Sequence, residues 1–346
     1  MTPGQGLRAS PQPLVAVYDA ALIDLDGVVY VGPEPVTGAV DAISAARDAG
    51  LRIGFLTNNA SRTPETVAGH LRALGVAADP LDVVTAAQAA AALLRERLRP
   101  AARVLVTGAP ALRDAVATAG FVPVSSADDR PAAVVSGYDV SFDYARLAEA
   151  TLAVSAGALW VAANLDATLP SPRGLLPGNG ALVAAIAAAT GRRPLSVGKP
   201  ERALYDEAVQ RTGARRPLMV GDRLDTDIAG AAAAGMDSLA VLTGVARPID
   251  VLLAEPPARP TYLARDLSGL LAAHPAPDLQ GELASCGGWC ATLDGPVLTV
   301  RLRTSTTPPD GRDALDGLRA ACAVAWAAAD AGRLPTGLQA VGLPVT

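Results

Sequence analysis

The chain has 346 residues, half of them apolar, and a formal net charge of -5. This length suits two or three domains, and the apolar fraction is enough to bury a sizeable core. The negative charge argues against a nucleic-acid partner, because neutralising phosphates requires clustered arginine or lysine. No apolar run reaches the length of a transmembrane helix, so we expect no membrane association.

Rare residue types narrow the chemistry further. The two histidines, His70 and His274, lie in no partner motif, which argues against a Ser-His-Asp triad and against a histidine-based zinc site. The three cysteines and the lack of a secretory signal pattern predict a reduced, cytoplasmic protein. A single lysine, Lys199, stands among 29 basic residues, which suggests a position where the wide fork of arginine does not fit. A chance surface lysine is the alternative.

Strands and helices alternate along most of the chain. We predict strands at 14–25, 52–56, 104–107, 133–136, 159–162, 218–220 and 238–242, and helices at 36–49, 64–74, 86–98, 111–119 and 226–234. This alternation predicts a doubly wound parallel sheet, whose ligands bind beyond the carboxyl ends of the strands. After a proline-rich stretch at 256–277, a hairpin turning at Asp294-Gly295 and a helix at 313–331 predict a further small module.

The segment DLDGVVY, residues 24–30, ends the first predicted strand. Residues two apart in an extended chain face the same side, so Asp24 and Asp26 are expected to converge beyond the strand. Two neighbouring carboxylates favour a cation, most naturally Mg²⁺. Taken alone, an Asx turn followed by glycine explains the segment equally well. A calcium loop is excluded, because Val28 occupies a ligand position.

The segment GDRLDTD, residues 221–227, also follows a predicted strand and opens a helix. Asp222 is placed to complete the oxygen shell of a metal. Asp227 is placed to orient a neighbouring cation or a metal-bound water from outside that shell. We interpret Asp225 as a cap of the following helix.

Two further segments supply polar groups suited to a phosphate. In FLTNN, residues 55–59, Thr57, Asn58 and Asn59 offer a hydroxyl, amides and successive backbone N–H groups. A polar turn that caps the next helix is the alternative. In VGKP, residues 197–200, Lys199 offers a compact positive charge opposite a transferring phosphoryl group.

Read in order, these four motifs resemble those of the haloacid dehalogenase superfamily, and the long insertion after the second resembles its type IIA-capped phosphatases. The resemblance covers about residues 15–275. It implies that Asp24 is the nucleophile and Asp26 the general acid/base, with Mg²⁺ as cofactor. It also implies phosphoryl contacts from Thr57, Asn58 and Lys199, and metal ligation by Asp24, by Asp222 and by Asp26 through its carbonyl.

The inserted segment resembles a cap whose specificity loop includes Asn164 and Asp166. These two residues either contact the substrate or only tie the loop together. In pyridoxal phosphatase relatives this loop carries a histidine, whereas the aligned position here is Leu169. The absence of histidine from the cap favours a small polyol or acid phosphate over a vitamin phosphate.

The C-terminal tail resembles that of actinobacterial glycerol-3-phosphate phosphatases, in which a truncated acetyltransferase-like unit follows the phosphatase. Residues 304–311 carry prolines and hydroxyls where acetyltransferases grip acyl-CoA with a glycine-rich loop, so we expect a structural or interaction role. Cys286 and Cys290 are expected to pack rather than bind metal, because no further ligand cluster accompanies them.

The expected fold class is α/β: a doubly wound, Rossmann-like core at 13–81 and 191–275, an α/β cap at 82–190, and a small α+β module at 280–346. The expected function is Mg²⁺-dependent hydrolysis of glycerol 3-phosphate. The alternatives are another small phosphate (phosphoglycolate, pyridoxal phosphate, a nucleotide) and a regulatory protein that binds a CoA-type ligand through its tail. The expected partner is a small phosphorylated metabolite, and homo-oligomerisation stays open.

Overall fold

The computed structural model of the protein describes residues 6–171, 173–302 and 312–343. The helices in these ranges are α1 (Leu14–Val17), α2 (Ala39–Asp48), α3 (Pro64–Ala73), α4 (Ala86–Arg97), α5 (Pro110–Thr118), α6 (Tyr144–Ser155), α7 (Asn179–Thr190), α8 (Arg202–Thr212), α9 (Ala229–Ala233), α10 (Pro248–Leu252) and α11 (Arg312–Asp330). A π-helical turn covers Leu224–Ile228, and short 3-10 helices cover Pro80–Asp82, Ala127–Asp129, Pro256–Ala258 and Leu267–Leu271. None of the helices in the described ranges is long and apolar enough to cross a membrane.

The strands in the same ranges form parallel and antiparallel sheets. They are β1 (Ala20–Asp24), β2 (Tyr30–Val31), β3 (Glu34–Pro35), β4 (Arg52–Thr57), β5 (Val83–Thr85), β6 (Arg103–Thr107), β7 (Val122–Val124), β8 (Ala133–Ser136), β9 (Leu159–Ala162), β10 (Thr168–Ser171), β11 (Gly174–Pro177), β12 (Leu195–Ser196), β13 (Pro217–Gly221), β14 (Asp237–Val241), β15 (Tyr262–Ala264), β16 (Asp278–Gln280), β17 (Leu283–Cys286), β18 (Trp289–Asp294), β19 (Val297–Leu302) and β20 (Gln339–Val341).

The chain divides into two compact units, Met1–Ile53 with Leu74–Val76 and Ala214–Thr346, and Gly54–Ala73 with Ala77–Gly213. In the first unit the strands β15, β14, β13 and β1 lie side by side in that order, and all are parallel. Because Ile23 pairs with Val220 in this register, the carboxyl ends of β1 and β13 meet at the same edge of the sheet. Every residue of β1 is buried.

The first unit also contains the C-terminal module. Strands β16 to β20 follow one another across a five-stranded sheet that is antiparallel except for the last pair, and α11 packs against it. One buried apolar cluster joins this module to the parallel-sheet part of the unit. It includes Ile228, Val251, Leu252 and Leu263 from the parallel-sheet part, and Ala284, Leu298, Leu318 and Trp326 from the module.

The second unit is built on a parallel sheet in the order β12, β9, β8, β6 and β7. Helices α6 and α7 contribute to a buried cluster around Trp160, Val154 and Ile186. The antiparallel hairpin β10–β11 precedes α7, and Leu169 pairs there with Leu176. In the same unit Phe55 to Thr57 of β4 pair in parallel with β5.

The predicted fold class is confirmed, since parallel strands alternate with helices and a small α+β module follows. Two local predictions are wrong. The apolar run at 14–25 is not one strand, because Pro13 starts the short helix α1 and the strand begins only at Ala20. The hairpin turns at Gly295-Pro296, because Asp294 is still paired with Val297. Residues 304–311, the expected acyl-CoA loop position, lie outside the described residues.

Candidate active site

Asp24 is the last residue of β1, where a tight loop turns the chain away from the sheet. The carbonyl of Leu25 accepts hydrogen bonds from the N–H groups of Val28, Val29 and Tyr30, at 2.9 to 3.3 Å. Gly27 has a φ of +86°, a left-handed conformation that glycine adopts at little cost. The loop therefore leaves Asp24 at the carboxyl edge of the sheet, where its side chain is only 8% exposed.

Asp222 and Asp227 reach the same edge from the neighbouring strand. Asp222 directly follows β13, and the π-helical turn Leu224–Ile228 brings Asp227 back towards it. The backbone N–H of Arg223 donates to Oδ2 of Asp227 at 3.0 Å, which fixes this carboxylate. Both aspartates are fully buried.

Among the described residues, Asp24, Asp222 and Asp227 form a cluster in which one carboxylate oxygen from each lies within 4.8 Å of the others. We call these three residues the carboxylate cluster. Three carboxylates buried at this spacing repel one another strongly when ionised, and a bound cation would relieve that repulsion. The donor set consists of hard oxygen atoms, so it fits Mg²⁺. Asp26, assigned to the metal through its carbonyl, has an exposed side chain outside this cluster.

The loop that follows β14 donates hydrogen bonds to Asp222 and to Gly27, and the sequence did not predict these contacts. The backbone N–H of Val245 donates to Oδ2 of Asp222 at 2.7 Å, and the N–H of Ala246 donates to the carbonyl of Asp222 at 2.9 Å. The hydroxyl of Thr243 donates to the carbonyl of Gly27 at 2.6 Å. These contacts use mainly backbone groups, so residue types gave little signal beyond a Thr-Gly pair at a strand end.

Asp225 does not cap the helix, contrary to the sequence-based interpretation. Arg223 occupies the N-cap position, and Asp225 lies inside the π-helical turn. Burial alone would raise the pKa of Asp225, but hydrogen bonds and charge from Arg223 outweigh that effect and lower it. The side chain of Asp225 is 70% exposed, so it belongs to the surface rather than to the carboxylate cluster.

In the second unit, four of the predicted residues form a hydrogen-bonded group that we call the asparagine network: Asn58, Asn164, Asp166 and Lys199. The Asn58 side chain accepts from the Lys199 backbone N–H at 2.7 Å and donates to the Lys199 carbonyl at 3.2 Å. It also donates to the carboxylate of Asp166 at 3.3 Å. Asn164 donates from Nδ2 to the carbonyl of Asn58 at 2.7 Å.

Thr57 and Asn59 shape the turn that begins this network. The N–H of Asn59 donates to Oγ1 of Thr57 at 3.0 Å, and Oδ1 of Asn59 accepts from the N–H and hydroxyl of Ser61. These bonds form a local turn before α3, which is the alternative that the sequence left open for this segment. Thr57 is buried and ends β4, so its hydroxyl faces the same turn.

Comparison with known proteins places the chain in a family. A model of haloacid dehalogenase-like hydrolases matches residues 21–122, and an HAD-hydrolase-like model matches residues 196–270. Over 289 residues the chain is 51% identical to a D-glycerol 3-phosphate phosphatase of Mycobacterium tuberculosis, covering 82% of this chain and 78% of the relative. The chain belongs to the haloacid dehalogenase-like hydrolases.

Three further comparisons agree with this finding, and one of them covers 96% of the chain. An acid sugar phosphatase of Staphylococcus aureus is 39% identical over 257 residues, which is 74% of this chain and 97% of that protein. The crystal structure of a glycerol phosphate phosphatase from Mycobacterium tuberculosis in complex with magnesium superposes with a TM-score of 0.85 at 46% identity, covering 96% and 95% of the two chains. A GCN5-related N-acetyltransferase-like domain model matches residues 286–341, so the predicted acetyltransferase-like character of the C-terminal module is confirmed.

Proposed function

We propose that this hydrolase is a Mg²⁺-dependent phosphomonoesterase that works through an aspartyl phosphate on Asp24. The observation that carries the proposal is the carboxylate cluster at the carboxyl ends of β1 and β13. A structural role alone gives no reason to bury three carboxylates together, because their repulsion costs stability. The mycobacterial relative crystallised in complex with magnesium supports Mg²⁺ as the cation.

In this proposal Asp24, Asp222 and the carbonyl of Asp26 would hold Mg²⁺. Asp227 would orient a neighbouring cation or a metal-bound water from outside the ligand shell. When bound, Mg²⁺ neutralises the charge of Asp24 and of the phosphate, so that one anion can approach the other. The Asp24 carboxylate oxygen attacks phosphorus while the bond to the substrate oxygen breaks. Asp26 gives its proton to that leaving oxygen, and the alcohol departs.

A water molecule then attacks the phosphorus of the aspartyl phosphate. Asp26, now ionised, takes a proton from this water, the bond between phosphorus and Asp24 breaks, and inorganic phosphate leaves. Lys199, the hydroxyl of Thr57 and the backbone of the turn at Asn58 and Asn59 are proposed to stabilise charge on the equatorial oxygens throughout. The exposed side chain of Asp26 suits an acid and base that must exchange protons with solvent.

We propose glycerol 3-phosphate as the substrate and residues 82–190 as the cap that selects it, with Asn164 and Asp166 in its specificity loop. The 51% identity to a D-glycerol 3-phosphate phosphatase supports this choice, as does a cap without histidine. The test is phosphate release with Mg²⁺ from glycerol 3-phosphate, phosphoglycolate, acid sugar phosphates and pyridoxal phosphate. Glycerol 3-phosphate should give the highest kcat/KM, and a higher value for any other substrate would overturn the assignment.

Asp24→Asn tests the mechanism itself. Asparagine keeps the shape of the side chain but cannot act as the nucleophile, so activity should fall by at least about 1,000-fold. Wild-type enzyme quenched during turnover should carry labelled phosphate that hydroxylamine releases, as an acyl phosphate does. Equal activity in the variant, or no labelled enzyme, would contradict an aspartyl-phosphate mechanism.

For the C-terminal module we propose a structural role rather than the sensing of a CoA-type ligand. The apolar cluster that it shares with Ile228, next to Asp227, supports this view. Ending the chain at residue 277 should therefore lower both thermal stability and activity, and calorimetry with acetyl-CoA should show no binding. Full activity of the shortened chain, or saturable acetyl-CoA binding, would contradict the structural role.

We propose that the enzyme is cytoplasmic, since its three cysteines are buried free thiols.

A further inference from the structure

Asn58 has a side chain whose two ends both contact the main chain of one residue, Lys199. Its Oδ1 accepts from the Lys199 N–H at 2.7 Å, and its Nδ2 donates to the Lys199 carbonyl at 3.2 Å. This pairing uses a donor and an acceptor at once, in the manner of two paired strands. Asparagine is short enough and has both groups, whereas aspartate lacks the donor and serine lacks the reach.

The side-chain amide of Asn58 also contacts the cap. Nδ2 of Asn58 also lies 3.3 Å from Oδ2 of Asp166, and the carbonyl of Asn58 accepts from Nδ2 of Asn164 at 2.7 Å. Oδ1 of Asn164 accepts from the N–H of Asp166 at 3.2 Å, which closes the loop on itself. We call residues 164–167 the cap loop. This loop is thus hydrogen-bonded to Asn58, the residue that contacts the main chain of Lys199.

A third asparagine anchors the cap loop from the other side. Asn179, at the start of α7, is only 2% exposed, and its Nδ2 donates to the carbonyl of Asn164 at 2.6 Å. The N–H of Gly180 donates to the carbonyl of Asp166 at 2.9 Å. Three of the four asparagines in the chain therefore lie in one connected path from α7 to Lys199.

The backbone before Lys199 is fitted closely to this path. A Cβ atom on Gly198 would lie 2.8 Å from Oδ1 of Asn58, 2.6 Å from the carbonyl oxygen of Ala163 and 3.0 Å from Cβ of Asn164. Glycine is required here by the close approach of the two segments rather than by its conformation. The residue that precedes Lys199 therefore packs closely against Asn58 and Asn164.

We infer that Asn58 is a positioning residue, which sets the main chain of Lys199 and couples it to Asp166 of the cap loop, rather than a residue whose amide holds the phosphate. The inference rests on the proposed phosphatase function for its kinetic test. A substrate that fits the cap would order the cap loop, and the ordered loop would hold Lys199 in the position needed for phosphoryl transfer. A substrate that fits poorly would leave the loop, and therefore Lys199, less well positioned. The coupling gives the cap a route to influence phosphoryl transfer as well as binding.

The first experiment compares Asn58→Ala with the wild type. Losing two ordinary hydrogen bonds to Lys199 should lower kcat by about 30-fold, with a smaller change in KM, because Lys199 stabilises charge that develops during transfer. Thr66→Ala, an exposed hydroxyl change on α3 after the same turn, is the control and should keep wild-type kinetics. An unchanged kcat in Asn58→Ala would overturn the inference, whereas an inactive wild type would overturn the proposed function instead.

The second experiment does not depend on turnover. Because the chain has one lysine, Lys199 carries its only side-chain ammonium group, and an amine-acylating reagent reports on this residue. The N-terminal amine reacts as well and serves as an internal reference. Lys199 is 7% exposed, and Asn58→Ala should raise its labelling rate by about tenfold, measured by mass spectrometry of the peptide. An unchanged rate in a folded variant would mean that Asn58 does not hold Lys199.

The third experiment tests the coupling to Asp166. Asn58→Asp places a carboxylate beside that of Asp166, and the kcat of this variant should fall by about 100-fold. Because aspartate is nearly isosteric with asparagine, this variant also replaces Asn58→Ala if Asn58→Ala fails to fold. In an Asp166→Asn background the same change should cost about tenfold less, because the new amide donates to the new carboxylate. Equal losses in both backgrounds would show that residues 58 and 166 are not coupled.

Discussion

Arg319 of α11 donates a hydrogen bond to the carbonyl of Leu263 in β15 at 2.6 Å, which links the C-terminal module to the parallel sheet of the hydrolase. The same guanidinium contacts Oδ1 of Asp316 at 2.7 Å, and both side chains are largely buried. The thiol of Cys286 donates to the same carboxylate oxygen at 3.5 Å. A buried charge pair of this kind is costly to break, because the remaining partner stays buried without compensation.

Arg319→Met should therefore destabilise the first unit, by about 3 kcal/mol, since it leaves Asp316 without its cation. The measurement is urea unfolding followed by tryptophan fluorescence, with residual phosphatase activity recorded at each urea concentration. Arg333→Met removes an exposed pair with Glu282 and is the control, with an expected change of at most ~0.5 kcal/mol. If Arg319→Met shifts the fluorescence but not the loss of activity, the module and the hydrolase unfold independently.

Gly27→Ala should damage the active site, whereas Gly38→Ala should not. Both glycines have positive φ, +86° and +78°, so each alanine carries backbone strain of roughly 1 kcal/mol. A Cβ on Gly27 would also lie 2.5 Å from Oδ2 of Asp222, while nothing lies within 4 Å of one on Gly38. We expect kcat to fall by about 100-fold in Gly27→Ala only. Equal activity of the two variants would mean that Asp222 is not held as the structure describes.

Much of this site could be predicted from the sequence, because Asp24 ends one apolar strand and Asp222 directly follows another. Parallel strands carry such residues to one edge of the sheet, so the local pattern was sufficient. Thr243 and Val245 could not be predicted, because they act through a hydroxyl and a backbone N–H that many residues supply. The bond between Asn58 and Lys199 joins positions 141 residues apart, and no local pattern encodes it.

The fold shows the same division between local and long-range information. The alternation of strands and helices gave the architecture, since its periodicity is strong. The short helix Leu14–Val17 was missed because four apolar residues fit a buried strand as well as a helical turn. The hairpin turn was displaced by one residue, because Asp-Gly and Gly-Pro are both turn signals and the register of Asp294 with Val297 decides between them.

Asp222→Asn should make the metal-free protein more stable and remove its response to Mg²⁺. Without a cation the carboxylate cluster is a source of repulsion, so neutralising one member should stabilise the protein by about 1 kcal/mol. Asparagine still accepts the hydrogen bond from Val245. In the wild type, the melting temperature should rise with the Mg²⁺ concentration, because Mg²⁺ binds the folded protein and stabilises it. In Asp222→Asn the melting temperature should not depend on Mg²⁺.

Asp225→Asn is the matched control for this measurement, because Asp225 lies three residues away with an exposed side chain paired to Arg223. It should keep both the Mg²⁺-dependent rise in melting temperature and the activity. A Mg²⁺ response that survives in Asp222→Asn would place the cation elsewhere. A response lost in both variants would point to the charge of the whole segment rather than to the carboxylate cluster.

His274→Gln should change the pH dependence of stability without changing the chemistry. His274 is 4% exposed, its Nε2 lies 2.8 Å from the carbonyl of Gly269, and its ring packs on Tyr262. Burial, the largest effect, and the charge of Arg319 lower the pKa of His274, although the Gly269 carbonyl opposes them. The unfolded chain therefore binds a proton near pH 6.5 that the folded chain does not, and stability falls as the pH drops below that value.

In the wild type this histidine contributes a slope of at most about 1.4 kcal/mol per pH unit below pH 6.5, and none above it. His274→Gln keeps a donor for the Gly269 carbonyl but cannot titrate, so its urea midpoint should vary less between pH 7.5 and 5. His70→Gln is the control, since His70 is the other histidine of the chain and lies on α3. Identical pH profiles for wild type and His274→Gln would show that His274 is not held neutral in the folded protein.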